Sequence, residues 1–278
     1  MPSNPTKRDE LLVKVDRAYK HILDLQDAMA RFRYKRPYPY EIFSEDNSQT
    51  AERTFFLRVV REIPIQYSAL IGDICQNLCG ALDHLAWHLV QSSSITPKSS
   101  ENQIYFPIFE SSREYEAGKM RKIQGMTQAA IKAIDDIQPY YRPDVTPGIG
   151  NGANLFWLHE INRLDKHRLL IPAWVSMTGH SIPKTRRSDM SAVLVAAFGS
   201  ADADVIVAAG PSSSEALKDG SKLCTLPISE VDDNMKFRLQ IAFGEPKWIR
   251  GKEISSTLIH MHRNVREIIV GFDDKGLL

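Results

Sequence analysis

The sequence predicts an α+β fold, in which helices and strands occupy separate stretches of the chain. Apolar residues recur about every 3.6 residues through most of residues 1–171, and after Pro172 the period changes to about 2. Strands that follow helices in this way favour a mostly antiparallel sheet over alternating βαβ units. We therefore expect one domain over residues 1–278, with a mainly helical part at 1–171, a strand-rich part at 172–250 and a closing helix at 254–272.

The predicted helices are amphipathic segments bounded by residues that start or stop a helix. The first covers about residues 6–33, with Thr6 as its N-cap, and it ends before Pro37 and Pro39 because proline cannot continue a helix. The second covers about residues 66–91 and has a strongly apolar face. Further helices are predicted at about residues 112–137 in one or two pieces, 154–171 and 254–272.

The predicted strands are short runs rich in β-branched and aromatic residues. Residues 54–62 form one such run, which Pro64 closes. Residues 235–243 alternate apolar and polar side chains, which is typical of a strand with one solvated face. Further strands are predicted at about 190–198, 204–209 and 221–228. We expect the strands of the C-terminal third to form a mostly antiparallel sheet, with which the long N-terminal, central and C-terminal helices pack.

The composition indicates a globular protein without a strong overall charge. Of 278 residues 43% are hydrophobic, and 35 Lys and Arg against 34 Asp and Glu give a formal net charge of +1. No segment approaches the roughly 18 apolar residues of a spanning helix, and the N-terminus lacks a signal-peptide pattern. The 3 cysteines, with no C-x-x-C pair, fit a reducing compartment. We expect a cytoplasmic protein without a membrane partner.

One face of the second predicted helix carries four polar residues opposite the apolar face. This polar stripe lies within about 60° of arc and consists of Asp73, Asn77, His84 and His88. A carboxylate, an amide and two imidazoles could converge there on a substrate, or they could form the solvated face of the helix. The i, i+4 histidines would also suit a metal ion, with Asp73 or Asp165 as a carboxylate ligand.

The predicted helix at 154–171 carries polar residues inside its apolar arc. These residues are Asn162, Asp165 and Arg168. Because a buried charge is costly unless it is paired, Asp165 and Arg168 either form a structural ion pair or line a pocket. We expect Asp165 to be largely buried, with Arg168 or an Asn or His of the second helix as its partner. His167 falls on the exposed side of the helix.

The first predicted helix ends in a basic run interleaved with aromatic residues. Its cations are Arg31, Arg33, Lys35 and Arg36, and its rings are Phe32 and Tyr34. Guanidinium groups bind phosphates and aromatic rings stack on bases, so this run is a candidate contact for RNA or a nucleotide. The alternative is that the cations complement the partial negative charge at the C-terminus of the helix.

Several short motifs resemble those of an uncharacterised family of bacterial proteins. They are Gly72-Asp73, Asn77-Leu78, the ALDHLA segment at 81–86, Phe106-Pro107-Ile108 and the NRLDKHR segment at 162–168. The segment that ends in Asp83-His84 also resembles, more loosely, the HEPN class of helical domains. That class has an arginine about four to six residues before a histidine, and the expected position holds Cys79 here. The resemblance implies a homodimer that cuts RNA without metal, with His84 either orienting the ribose 2′-hydroxyl or exchanging a proton with it.

Three functions stay open at this stage. The first is a HEPN-like, degenerate, RNA-directed or nucleotide-binding protein without a cofactor, which as an enzyme would be a metal-independent ribonuclease. The second is a non-enzymatic protein that binds a partner or a small ligand, and the third is a metal-binding helical site. The candidate catalytic residues are His84, Asp83, Asn77, Asp165 and Arg168. The candidate binding residues outside the basic run are Asp73, His88, Asn162 and His167.

Overall fold

The computed structural model describes residues 5–95, 101–138, 151–167, 171–181, 206–208, 216–231 and 235–278. Within these ranges the chain forms helices and antiparallel sheets, so the predicted α+β class is confirmed. The α-helices are α1 (Lys7–Tyr34), α2 (Gln66–Gln91), α3 (Ser112–Ile123), α4 (Gln128–Asp135), α5 (Asn151–His167) and α6 (Ile254–Asp274). The strands are β1 (Tyr40–Asn47), β2 (Glu52–Val59), β3 (Ala173–Ser181), β4 (Ile206–Ala208), β5 (Lys222–Pro227) and β6 (Phe237–Phe243).

The chain divides into two compact units, each assembled from separate segments. The helical unit comprises Met1–Ala28, Ile65–Ile171 and Ile254–Leu278. The sheet unit comprises Met29–Pro64 and Pro172–Glu253. The helical unit therefore contains most of α1 and all of α2 to α6, whereas the sheet unit contains the end of α1 and the six strands.

The helices of the helical unit begin where the sequence offers a cap. At the start of α1, Asp9 N donates to Thr6 Oγ1 at 3.1 Å and Thr6 N donates to Asp9 Oδ2 at 2.9 Å. This reciprocal pair satisfies backbone donors that the first turn leaves free. Thr127 caps α4 by accepting from Ala130 N at 3.2 Å. The apolar face of α2 is fully buried at Ile71, Leu78, Leu82 and Leu85, so this helix supplies the centre of the core.

The strands of the sheet unit form two antiparallel sheets, in the orders β1-β2-β5 and β4-β3-β6. The predicted strand at 235–243 is present as β6, which pairs with β3 through positions such as Val175 and Ile241. One buried core cluster of this unit consists of Phe55, Leu57, Met177, Leu223 and Val231. The structure adds β1 and β3, which were not predicted as strands. The strand predicted at 190–198 lies outside the described residues.

None of the helices in the described ranges combines the length and the apolar character that a membrane span requires.

Candidate functional site

A cavity of about 170 Å³ lies in the helical unit between α2, α3, α5 and the segment at 105–108. We call it the Asp83 cavity. Its described polar lining consists of Asp83, Tyr105, Lys122, His159, Asn162, Arg163 and Lys166. Apolar side chains, among them Leu82, Phe106 and Ile108, form the rest of the wall. This combination of an apolar wall with a few converging polar groups is typical of a small-molecule site.

Asp83 is the carboxylate of this cavity, and a backbone donor fixes its position. Its Oδ1 accepts a hydrogen bond from Phe106 N at 3.1 Å. Burial raises the pKa of Asp83, while the Phe106 N–H and the charges of Lys166 and Lys122 act in the opposite direction. A carboxylate has about four acceptor positions, so Asp83 retains capacity for further donors.

Asn162 provides a buried acceptor in the same cavity. Its side chain is 7% exposed, and its Oδ1 atom has no hydrogen-bond partner among the described residues. An unsatisfied buried acceptor costs about 1–3 kcal/mol, so such an atom is uncommon in a native interior. Asn162 belongs to the cavity lining, so this acceptor lies next to the cavity.

His159 contributes a neutral imidazole to the cavity. Burial is the main cause that lowers its pKa to about 4, and the charge of Lys122 lowers it further. His159 therefore offers one donor and one acceptor at neutral pH, rather than two donors.

Cations surround the cavity, but they differ in what else they contact. Arg163 binds Glu160 through two hydrogen bonds, from Nε to Oε1 at 3.0 Å and from Nη2 to Oε2 at 2.7 Å. The ammonium of Lys122 lies 4.7 Å from the centre of the Phe109 ring, and burial lowers its pKa. Lys166 is exposed and forms no ion pair with another described residue. Lys122 and Lys166 therefore remain for an anionic group of a ligand.

The two histidines of the polar stripe of α2 face α1 and do not line the Asp83 cavity. His88 Nε2 lies 3.8 Å from Glu10 Oε2 of α1. His84 is exposed, and its pKa is lowered by partial burial, by the charge of Lys14 of α1 and by His88. Asn77 Nδ2 donates at 2.8 Å to the carbonyl oxygen of Asp73 in its own helix. The structure thus separates His84 and His88 from Asp83 and Asn162.

Asp165 has intermediate exposure, so it is neither fully buried nor fully exposed. Its carboxylate packs against Gly72 of α2. Burial raises the pKa of Asp165, and the like charge of Asp73 raises it further. No cation of the described residues pairs with Asp165. Arg168 and the side chain of His167 lie outside the described residues, so their predicted roles stay predictions.

The basic run lies at the end of α1 and in the turn that follows it. All four cations, Arg31, Arg33, Lys35 and Arg36, belong to exposed residues of the sheet unit. Arg36 places its guanidinium 5.4 Å from the centre of the Tyr38 ring. This run belongs to the sheet unit, whereas the Asp83 cavity belongs to the helical unit.

The described residues contain no group of three or more His, Cys, Asp or Glu side chains that could hold a metal ion. His84 and His88 therefore lack a third described ligand. Conversely, the cavity includes residues that were not predicted, namely Lys122, His159, Lys166 and Tyr105. The sequence did contain a signal for three cavity residues. His159, Asn162 and Lys166 follow i, i+3, i+7 spacing, which places them on one helix face.

Comparison of the chain with models of known protein families, with curated proteins and with solved structures gives no match. The chain is an α+β protein whose helical unit holds a polar cavity. The resemblance to the bacterial family and to HEPN domains stays a prediction.

Proposed function

We propose that the helical unit binds a nucleotide, with the base in the Asp83 cavity and the phosphate at its cationic edge. The observation that carries this proposal is the buried Oδ1 of Asn162, which has no partner among the described residues and lines the same cavity as Asp83. These two side chains present acceptors to a ligand that has more than one N–H group. Nucleobases carry such donors along one edge, next to ring acceptors.

The size of the cavity supports a planar ring rather than a larger molecule. Its volume of about 170 Å³ is below the roughly 300–1,000 Å³ typical of drug-sized ligand pockets. A sugar and phosphate would therefore remain outside the cavity. The ring of Tyr105 lines it and is 48% exposed, so one face of a bound base could stack there.

The cations at the cavity edge support a position there for the negative end of the proposed ligand. Lys122 and Lys166 line the cavity together with Arg163, whose charge is already engaged by Glu160. Two ammonium groups suit a phosphate, which binds lysine as a compact charge. His159, neutral because its pKa is about 4, adds a donor and an acceptor without repelling a cationic or polar ring edge.

Calorimetric titration of the full chain with the four ribonucleoside monophosphates and with inorganic phosphate tests the proposal. We expect at least one nucleotide to bind more tightly than phosphate. Asp83→Asn keeps an acceptor for the Phe106 N–H but removes the charge. It should weaken nucleotide binding by roughly tenfold or more, since a hydrogen bond to a charged group contributes about 1.5–3 kcal/mol.

A matched pair of lysine variants tests the phosphate position. Lys166→Gln should weaken binding by roughly fivefold at low salt, as expected for an interaction of about 1 kcal/mol. Lys132→Gln, at an exposed position of α4 outside the cavity, should leave binding unchanged. Equal affinity for phosphate and every nucleotide, or no nucleotide binding at about 1 mM ligand, would overturn the proposal.

A further inference from the structure

The sheet unit contains a second, larger recess that the proposed nucleotide site does not involve. This cleft has a volume of about 630 Å³ and lies between the end of α1, the segment that leads into β1, and strand β6. We call it the aromatic cleft. Its lining includes the rings of Tyr34 and Tyr38 and the cations Arg33, Lys236 and Arg238.

The aromatic rings of the cleft fall into a buried set and an exposed set. Phe32 is 6% exposed and packs edge-on against Tyr40, with ring centres 6.1 Å apart. Tyr34 and Tyr38, in contrast, are 71% and 47% exposed. Large exposed rings contribute no core packing, so their presence at a cleft indicates a ligand with flat apolar faces.

The charges of the cleft have one sign. The described lining contains Arg33, Lys236 and Arg238 but no Asp or Glu. Arg33 and Arg238 form no ion pair with any other residue in the described ranges. Arg36, which follows Tyr34 in sequence, stacks its guanidinium on the Tyr38 ring. The cleft is therefore complementary to an anionic ligand with stacking surfaces.

We propose that the aromatic cleft binds a single-stranded nucleic acid. Exposed rings that stack on successive bases, next to cations that follow the phosphates, are the two elements of sequence-tolerant single-strand binding. A duplex keeps its base faces stacked inside the helix, so it cannot use Tyr34 and Tyr38 in this way. The cleft lies wholly in the sheet unit, so this proposal does not rest on the proposed nucleotide site of the helical unit.

Fluorescence anisotropy of the full chain with labelled oligonucleotides of about 12 nucleotides tests the proposal. The arms are oligouridine, oligothymidine and a duplex of the same length. Binding of either single strand supports the proposal, and the comparison shows which sugar the cleft accepts. The affinity should fall steeply between about 50 and about 200 mM salt, because phosphate contacts release counterions.

Variants of the cleft separate stacking from charge. Tyr34→Ala and Tyr38→Ala should each weaken single-strand binding by at least roughly fivefold, the loss of about 1 kcal/mol of stacking. Arg33→Gln with Arg238→Gln should reduce the slope of log affinity against log salt by about 2, one for each phosphate contact. Tyr34, Arg33 and Tyr38 are exposed, so these variants should keep the wild-type far-ultraviolet spectrum.

Trp248 and Lys247 serve as controls, because they combine an exposed aromatic ring with a cation outside the cleft. Trp248 is 42% exposed in the sheet unit, and the Lys247 ammonium lies 4.1 Å from its ring centre. Trp248→Ala and Lys247→Gln should leave oligonucleotide binding unchanged. The proposal is overturned by the absence of binding at low salt, by a duplex or an acidic peptide that binds as well as the single strands, or by equal losses in control and cleft variants.

Discussion

Replacement of Gly72 by alanine tests the contact between α2 and α5 that positions Asp165. Gly72 is buried in the first half of α2, and the carboxylate of Asp165 packs directly against it. A Cβ atom at position 72 would lie 2.5 Å from Oδ1 and 2.6 Å from Oδ2 of Asp165. Both separations are far below van der Waals contact, so the carboxylate has to move if Gly72 gains a side chain.

Two opposing contributions determine how Gly72→Ala changes the free energy of unfolding. Alanine in a helix interior is about 1 kcal/mol more favourable than glycine. Overpacking against a neighbour costs about 1–3 kcal/mol. Gly72→Ala alone should therefore leave the free energy of unfolding unchanged or lower it by up to about 2 kcal/mol. In an Asp165→Ala background the carboxylate is gone, and the same substitution should raise the free energy by about 1 kcal/mol.

Urea unfolding followed by circular dichroism, for the two single variants and the double variant, measures this coupling. We expect an interaction energy of about 1–3 kcal/mol between the two sites. Gly80→Ala in the same helix is the matched control, because its Cβ would meet only the flexible Lys14 side chain, at 3.3 Å or more. It should stabilise by up to about 1 kcal/mol. Additivity of Gly72→Ala and Asp165→Ala within about 0.5 kcal/mol would refute the contact.

Three further predictions concern ionisable groups. The folded protein holds the Asp165 proton more tightly than the unfolded chain, so this group lowers stability as pH rises from 3.8 through its raised pKa. Asp165→Asn should flatten that part of a stability-against-pH curve, and an unchanged curve would contradict the raised pKa. The imidazole of His159 should titrate near pH 4 by NMR, whereas a midpoint near 6.5 would show that it is solvated. If the HEPN resemblance holds, His84→Ala should abolish metal-independent RNA cleavage without unfolding the protein, and equal cleavage by both forms would exclude this role.

The helices that sequence predicts well are those whose boundaries are set locally. The predicted range 66–91 coincides with α2, and Thr6 and Thr127 cap their helices through hydrogen bonds to residues three positions away. Hydrophobic spacing and capping act within one or two turns, so they are visible in a single sequence. Strand β6 is also predictable from its local sequence, because its apolar and polar side chains alternate.

The two strands that were not predicted lack that pattern. Most residues of β1 (Tyr40–Asn47) are exposed, so the strand shows no alternation of apolar and polar positions. In β3 (Ala173–Ser181) neighbouring residues are buried, so this strand also lacks a regular alternation of buried and exposed positions. Both strands are defined by their partners, β2 for β1 and β4 and β6 for β3. The partners of β3 lie far along the chain, and such pairing is not encoded in local composition, whereas β1 pairs with β2 directly across the turn at 48–51.

The cavity was only partly predictable for a related reason. Asp83 and Asn162 were named as candidates from their motifs and from a polar residue in an apolar arc. Lys122 was not, because α3 reaches the cavity through tertiary packing that its own sequence does not indicate. The same limit applies to the polar stripe. Its spacing placed His84 and His88 on one face, but only the structure shows that α1, with Glu10 and Lys14, occupies that side.

The adjacent residues Asp83 and His84 project from different sides of α2. Successive residues of a helix are rotated by about 100°, so neighbours in sequence point in different directions. Asp83 lines the cavity with residues of α5, whereas His84 is not part of that lining, although the charge of Lys14 of α1 acts on both side chains. A ligand in the cavity therefore meets the carboxylate and not the imidazole. Asp83→Asn therefore tests nucleotide binding in the cavity, and His84→Ala tests RNA cleavage. Loss of nucleotide binding in the first variant alone supports the cavity, while loss of RNA cleavage in the second alone supports the side facing α1.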